Sequence, residues 1–241
     1  MGAMSPSAPR TARAIARAEL TRAILDSAGA QLAEIGPAAL SVRAVARDLG
    51  MASSAVYRYF SSRDALLTAL LIEAYDDLGD AIERAEAAVA DRTDLDARWQ
   101  AICHALRDWA NAQPHRYALL YGSPVPGYVA PDDTVTSAAR VSTAFLTLFR
   151  DAQVAGRRPA PTLPLTPAEQ AALVPVRSSV EPGIDDAWSI RGLQAWATVF
   201  GTVSLELFGH MYRGVLDYDT HFAQVVDQLA ADLGLSAGAA S

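Results

Sequence analysis

The sequence predicts an all-α protein, and three observations carry that expectation. Apolar residues recur at three- and four-residue intervals through every long segment, the mark of helices with one buried face. Those segments are bounded by residues that start and stop helices, Ser, Thr and Asp on one side and Gly or Pro on the other. No stretch alternates apolar and polar residues with the period of two that a half-buried strand requires. With 241 residues, 51% of them hydrophobic, the chain can form one large or two modest domains with real cores. The pattern divides it into an N-terminal three-helix bundle and a larger C-terminal α-helical domain.

Residues 1–12, with Pro6, Pro9 and small residues around them, read as a flexible arm. Arg10, Arg13 and Arg17 either reach toward a groove or form a solvated run. A first helix is expected over Arg13–Ile35, with Ile24, Ala28, Leu32 and Ile35 on one face and Gly36-Pro37 closing it. Next come two short helices around Gly50 in SVRAVARDLGMASSAVYRYFSSR, residues 41–63. Ser41 suits the N-cap of the first, with Val42, Val45, Ala46 and Leu49 as its apolar positions. Gly50 can take the left-handed conformation that reverses the chain. The second helix starts at Ala52 or Ser53, buries Val56 and Phe60, and spans about two turns. It needs its neighbours to hold it.

Ser61-Ser62-Arg63-Asp64 has the form of a capping box, so a long helix should follow to about Ala90. Leu66, Leu67, Leu70, Leu71, Ala74 and Leu78 form its inner face; Glu73, Asp76, Asp77, Asp80 and Glu83 face outward or toward a cavity. Because this helix begins beside the helical pair and ends in the second domain, it is the natural lever between them. Helices are expected over Thr93–Gln113, Pro114–Tyr121 and, after the Pro- and Gly-punctuated loop 122–133, about Thr134–Ala155. Residues 156–185 carry six prolines and read as a long irregular loop, a gate or a strap, in which Thr166-Pro167-Ala168-Glu169 opens a short helix. The last two helices are about Asp186–Tyr212 and Thr220–Leu233. The former is apolar nearly all round, so its own domain and a partner should both cover it.

The pair of short helices carries the functional signal. Ser53, Ser54 and Ala55 are small and lie at the end from which a recognition helix addresses base edges, while Tyr57, Arg58 and Tyr59 offer tips suited to phosphates. Arg63 and, on the preceding helix, Ser41 and Arg43 complete the expected DNA-contacting set. Leu-Gly, small residues, Val-Tyr-Arg-Tyr-Phe, then a basic residue before Asp-x-Leu-Leu resembles the helix-turn-helix of the tetracycline-repressor (TetR) family of bacterial regulators. Tyr59 stands where that family usually has His, and Arg63 where it has Lys. Trp196-x-x-x-Phe200-Gly201 further resembles the C-terminal domain named for a Trp-His-Gly signature, with Phe200 in place of the histidine.

The resemblance implies a helix-turn-helix domain over residues 13–62 and a ligand-binding and dimerisation domain over 63–241. It implies a regulator, a repressor released from its operator by a small molecule that binds among the later helices. Pocket candidates there are His104, Trp109, Tyr117, Tyr121, Phe145, Phe149, Trp196, Glu206 and His210. Glu206 either pairs with His210, four residues on, or with an arginine, or faces a polar cavity. Two-fold symmetry of a palindromic operator and the apolar surface of the last two helices together predict a homodimer. The competing reading is a structural or adaptor α-helical protein that binds no DNA.

Charge supports the DNA reading despite a net −7. Residues 1–63 hold eight Arg against four acidic residues, a net of +4, and residues 64–241 hold twelve Arg against 23 acidic residues, a net of −11. Positive charge is thus concentrated where contact with phosphates is expected. Catalysis is not expected: the four histidines are scattered, there is no metal-ligand spacing and no cofactor motif. The single cysteine, Cys103, excludes an internal disulfide and fits a reducing compartment. With no apolar span of membrane length and no export segment, the expected location is the cytoplasm.

Overall fold

The structure is a computed structural model and describes residues 12–236. Its helices are α1 (Ala12–Ile35), α2 (Val42–Asp48), α3 (Ser53–Val56), α4 (Arg63–Ala87), α5 (Leu95–Ala112), α6 (Pro114–Tyr121), α7 (Val135–Val154), α8 (Pro167–Ala172), α9 (Val174–Arg177), α10 (Asp186–Leu207) and α11 (Tyr218–Asp232). No strand occurs among the described residues, and none of their helices is long and apolar enough to cross a membrane. The expected arm, Arg10 included, lies outside the described residues except for Ala12, which starts α1.

The described residues pack as two compact units, residues 12–71 with 123–130, and residues 72–122 with 131–236. In the first, α2 packs on α1 and α3. Ile24, Ala28, Leu32, Val42, Val45 and Val56 are buried, whereas Ile35 is half exposed at the end of α1 rather than on its buried face. In the second, α5 is central, touching α6, α7, α10 and α11. Its core gathers Trp99, Ile102, Leu106, Phe145, Trp188 and Phe222.

Several helix ends differ from the sequence reading, each for a local reason. The N-cap of α4 is Ser62, whose Oγ accepts from Ala65 N at 3.0 Å, so the capping box does not begin at Ser61. Asp94 and Asp217 accept from the backbone of Ala97 and Thr220, which fixes the starts of α5 and α11 at Leu95 and Tyr218. Helix α3 is a single turn rather than two. Helix α10 stops at Leu207 rather than Tyr212. Gly209 is left-handed at φ 75°, its N–H donates to Glu206 O, and His210 N donates to Leu205 O at 2.9 Å. That paired pattern closes a helix around a glycine. Helix α9 was not expected, because a proline in so short a segment reads as loop; Pro175 sits in its first turn, where it is tolerated.

Candidate nucleic-acid interface

The turn between α2 and α3 is built by the same closing pattern. Gly50 has φ 64°, its N–H donates to Arg47 O, and Met51 N donates to Ala46 O at 2.8 Å. Any other residue would meet left-handed strain there, although space for a Cβ is open. Ser41 caps α2 by accepting from Ala44 N, and Ser27 Oγ donates to Asp48 Oδ2 at 2.7 Å, tying α1 to the far end of α2. With both ends of α2 fixed and Val56 and Phe60 buried beyond the turn, the outward face of α3 is determined.

That face and the turn after it present Ser54, Tyr57 and Arg58 to solvent, with Ser53, Ala55 and Tyr59 partly covered. Arg43 and Arg47 are exposed on α2. The guanidinium of Arg17 lies 4.9 Å from the centroid of the Tyr59 ring, so a cation from α1 sits beside the phenol expected at a phosphate. Small side chains, hydroxyls and guanidinium groups exposed on such a pair of short helices can meet a duplex groove: the small ones permit close approach and the tips reach backbone oxygens.

Arg63 is used otherwise than the sequence suggests. Its Nε donates to Leu40 O at 3.1 Å and its Nη2 to Pro37 O at 2.8 Å and Ala38 O at 3.1 Å. The head group closes the short 3-10 turn Pro37–Ala39, with Asp64 beside it at 3.5 Å. A fork already engaged by three carbonyls is a structural clamp rather than a free phosphate contact.

The second unit holds a cavity of about 250 Å3 between α7, α9 and α10. Phe145, Phe149, Trp188 and Trp196 are its aromatic walls, and Leu146, Leu193, Val176 and Pro175 its aliphatic ones. Gly192 lies on its lining, where a Cβ would come within 2.7 Å of the Phe149 ring. Of the nine pocket candidates read from the sequence, Phe145, Phe149 and Trp196 meet here.

The other six lie elsewhere. Tyr117 is buried and bonds Ser204 Oγ at 2.8 Å and Phe200 O at 3.2 Å. Trp109 donates from Nε1 to Asp77 Oδ2 at 3.0 Å, and His104 packs edge-on to Phe222. Tyr121 sits against Phe200, and burial pushes its phenol well above the usual tyrosine value. His210 is exposed in the turn after α10; since the helix has ended, the four-residue spacing from Glu206 no longer brings the two together. Glu206 instead takes both arms of Arg107, at 2.8 Å each, and Arg107 also reaches Asp219 at 2.7 Å. Hydrogen bonds from the guanidinium to Glu206, opposed by burial and helped by Asp219, raise the Arg107 pKa above its ordinary value.

Sequence reasoning missed Trp188 and Arg107. The all-round apolar pattern of α10 hides which of its tryptophans faces a cavity, while a carboxylate in so apolar a helix was itself the signal for a buried arginine. A larger cleft of about 530 Å3 has Arg98, Arg140 and Arg150 on its walls. Each is already matched to a carboxylate: Arg98 to Glu86 and Asp151, Arg140 to Glu83, Arg150 to Asp151. Cys103 is buried, and burial pushes its thiol well above the usual range, which leaves little thiolate to react. No group of three or more His, Cys, Asp or Glu able to hold a metal occurs among the described residues.

Comparison with known proteins places the chain in a family. A family described as bacterial regulatory proteins, tetR family, matches residues 24–70, and a tetracyclin repressor-like C-terminal domain matches residues 99–229. The chain is 45% identical over 203 residues to HTH-type transcriptional regulators of Mycobacterium tuberculosis and Mycobacterium bovis, covering 80% of this chain and 83% of each of theirs. A solved structure described as a regulatory protein, SCO4313, superposes with a TM-score of 0.75 at 32% identity, covering 91% of this chain and 98% of that one.

Proposed function

Because the chain belongs to the TetR family of bacterial regulatory proteins and is a DNA-binding transcriptional regulator, we propose that it is a homodimeric repressor. It sits on a palindromic operator and is released from it by a small molecule. It works in the cytoplasm and catalyses no reaction. The observation that carries the reading is the exposed side of α3 and the turn after it, where Ser54, Tyr57 and Arg58 are exposed while Val56 and Phe60 are buried. In it Ser53, Ser54 and Ala55 address bases, while Arg43, Tyr57, Arg58 and Tyr59 hold phosphates. Arg63 and Ser41 act one step back by fixing the turn and the start of α2.

The homodimer is supported by the last turn of α10 and the segment that follows it, where Leu205, Phe208, Tyr212 and Leu216 are exposed. Gly201 points the same way. A glycine inside a helix costs about 1 kcal/mol relative to alanine, and apart from its own helix no described residue lies within 4 Å of where its Cβ would be. A second copy approaching closely through α10 and α11 gives that glycine a reason. The effector is assigned to the cavity between α7, α9 and α10, since its walls are apolar while the larger cleft is lined by charges that already have partners. An effector releases DNA only by favouring the conformation that binds DNA less well.

The test is retention of genomic fragments on gels across salt concentrations. Wild type should bind with a steep salt dependence, and Arg58→Ala should weaken binding on all sequences while lowering the slope by about one. Substituting Ser54 should shift the preferred sequence. Equal binding of wild type and Arg58→Ala at every salt concentration would remove Arg58 from the interface.

A further inference from the structure

We propose that the turns after α10, Phe208–Leu216, dock in a groove on a second copy of this chain, with Arg213 of one copy paired to Glu169 of the other. The proposal rests on the homodimer reading above and adds where the two copies grip one another. Residues 208–217 form consecutive tight turns. Tyr212 N donates to Gly209 O at 3.2 Å, and Gly214 N and Val215 N both donate to Met211 O, at 2.9 and 3.1 Å. These turns nonetheless hold Phe208, Tyr212 and Leu216 in water, Leu216 with 97% of its surface exposed. Arg213 has φ 62°, in the left-handed region where residues other than glycine are uncommon. Its guanidinium lies 5.2 Å from the Tyr212 ring centroid and meets no carboxylate among the described residues.

A groove of about 740 Å3 opens toward the other end of α10, between residues 161–166 and the helix. Leu163, Pro164 and Ile190 give it apolar walls, and Leu163 is 86% exposed. Of the two charged residues on its lining, Arg191 is spent on Ala160 O and Pro161 O, at 3.0 and 2.6 Å, which ties the segment to α10. The other is Glu169, whose carboxylate has no donor among the described residues. Segment and groove are therefore complementary: exposed apolar side chains match apolar walls, and an unmatched cation matches an unmatched carboxylate.

Within one chain the two are held apart, since the helix between Ile190 and Phe208 is roughly 27 Å long. Two-fold symmetry brings them together. Ile190, Gln194, Ala197, Gly201, Leu205 and Phe208 follow one another at three- and four-residue steps, so they share one face of α10. Gly201 is the point on that face where a second backbone can come close, because its Cβ position is open. An antiparallel crossing of two α10 helices there sets Leu205 against the partner's Ala197 and Phe208 against the partner's Gln194. The turns beyond Phe208 then arrive at the partner's groove, and each contact occurs twice.

The experiment co-expresses full-length chains carrying tags of different mass and weighs the assemblies by native mass spectrometry. Arg213→Glu and Glu169→Arg each bring like charges together twice in their own homodimers, whereas a dimer of one with the other restores both pairs. At about threefold per contact each homodimer is weakened about tenfold, so about nine-tenths of the dimers should be mixed. Two tagged wild-type chains should give the statistical share of about one-half. Leu163→Arg with Leu216→Glu is a second pair, placed on exposed side chains outside any helix so that folding is spared, and it should likewise favour the mixed dimer. A mixed share no higher than the wild-type control in both pairs would overturn the proposal and leave the homodimer standing. Wild type that weighs only as a monomer would overturn both.

Discussion

Replacing Arg107 by Met should be among the more damaging single changes in the second unit. Arg107 and Glu206 have side-chain exposures of 8% and 10%, and they are joined by two hydrogen bonds of 2.8 Å. Arg107 also stacks over Phe222, 5.1 Å from its centroid, which Met can partly replace. Asp219 is 88% exposed on its side chain, so its share is about 0–1 kcal/mol. The cost therefore comes from leaving the Glu206 carboxylate buried without its donor, about 3–5 kcal/mol. Replacing both partners, Arg107→Met with Glu206→Leu, removes the charge as well as its partner and should return most of that loss. The assay is equilibrium urea denaturation at one fixed protein concentration, because association adds to apparent stability. A loss under about 1 kcal/mol for the single variant, or a double variant as unstable as the summed single ones, would refute the reasoning.

Three further outcomes follow from the same structure. Arg63→Lys should destabilise the first unit nearly as much as Arg63→Ala, by about 1–2 kcal/mol, because a single ammonium nitrogen cannot stand both where Nε meets Leu40 O and where Nη2 meets Pro37 O and Ala38 O; thermal melting checks this, and full rescue by Lys would contradict it. Gly192→Ala places a Cβ within 2.7 Å of the Phe149 ring, and since the overpacking cost of about 1–3 kcal/mol exceeds the roughly 1 kcal/mol that alanine gains in a helix, a lower melting temperature is expected. Burial raises the Asp151 pKa, but hydrogen bonds from Arg150 and Arg98 outweigh it and hold the carboxyl below its ordinary value of 3.8. Its contribution is therefore present at neutral pH and lost as acid protonates it, so the stability gap between wild type and Asp151→Asn should close below about pH 4.

What the sequence made legible was local. Gly50, Ser41 and the apolar spacing around them specify a helix, a left-handed turn and a second helix within about twenty residues, and the structure builds each from near neighbours. Pro114, Gly122 and Thr166 likewise mark helix ends through contacts a few residues away. What stayed hidden depends on distant pairing. The carbonyls that occupy Arg63 lie 23 to 26 residues earlier, and Arg107 and Glu206 are 99 apart, so the sequence could demand a partner for Glu206 without choosing it. The unpaired indole of Trp188 is further out of reach, since only packing decides which buried donor meets no acceptor. The spacing of Glu206 and His210 misled because Gly209 ends the helix between them.

The central claim, sequence-reading by the exposed face of α3 in a two-fold symmetric regulator, is tested most directly by selecting bound duplexes from a random-sequence pool with the full chain. The account predicts enrichment of one inverted repeat whose half-sites lie about one helical turn, roughly 10 base pairs, or a multiple apart, and a changed half-site when Ser54 is replaced. A pool that stays random after repeated rounds, or an enriched motif without inverted symmetry, would contradict it.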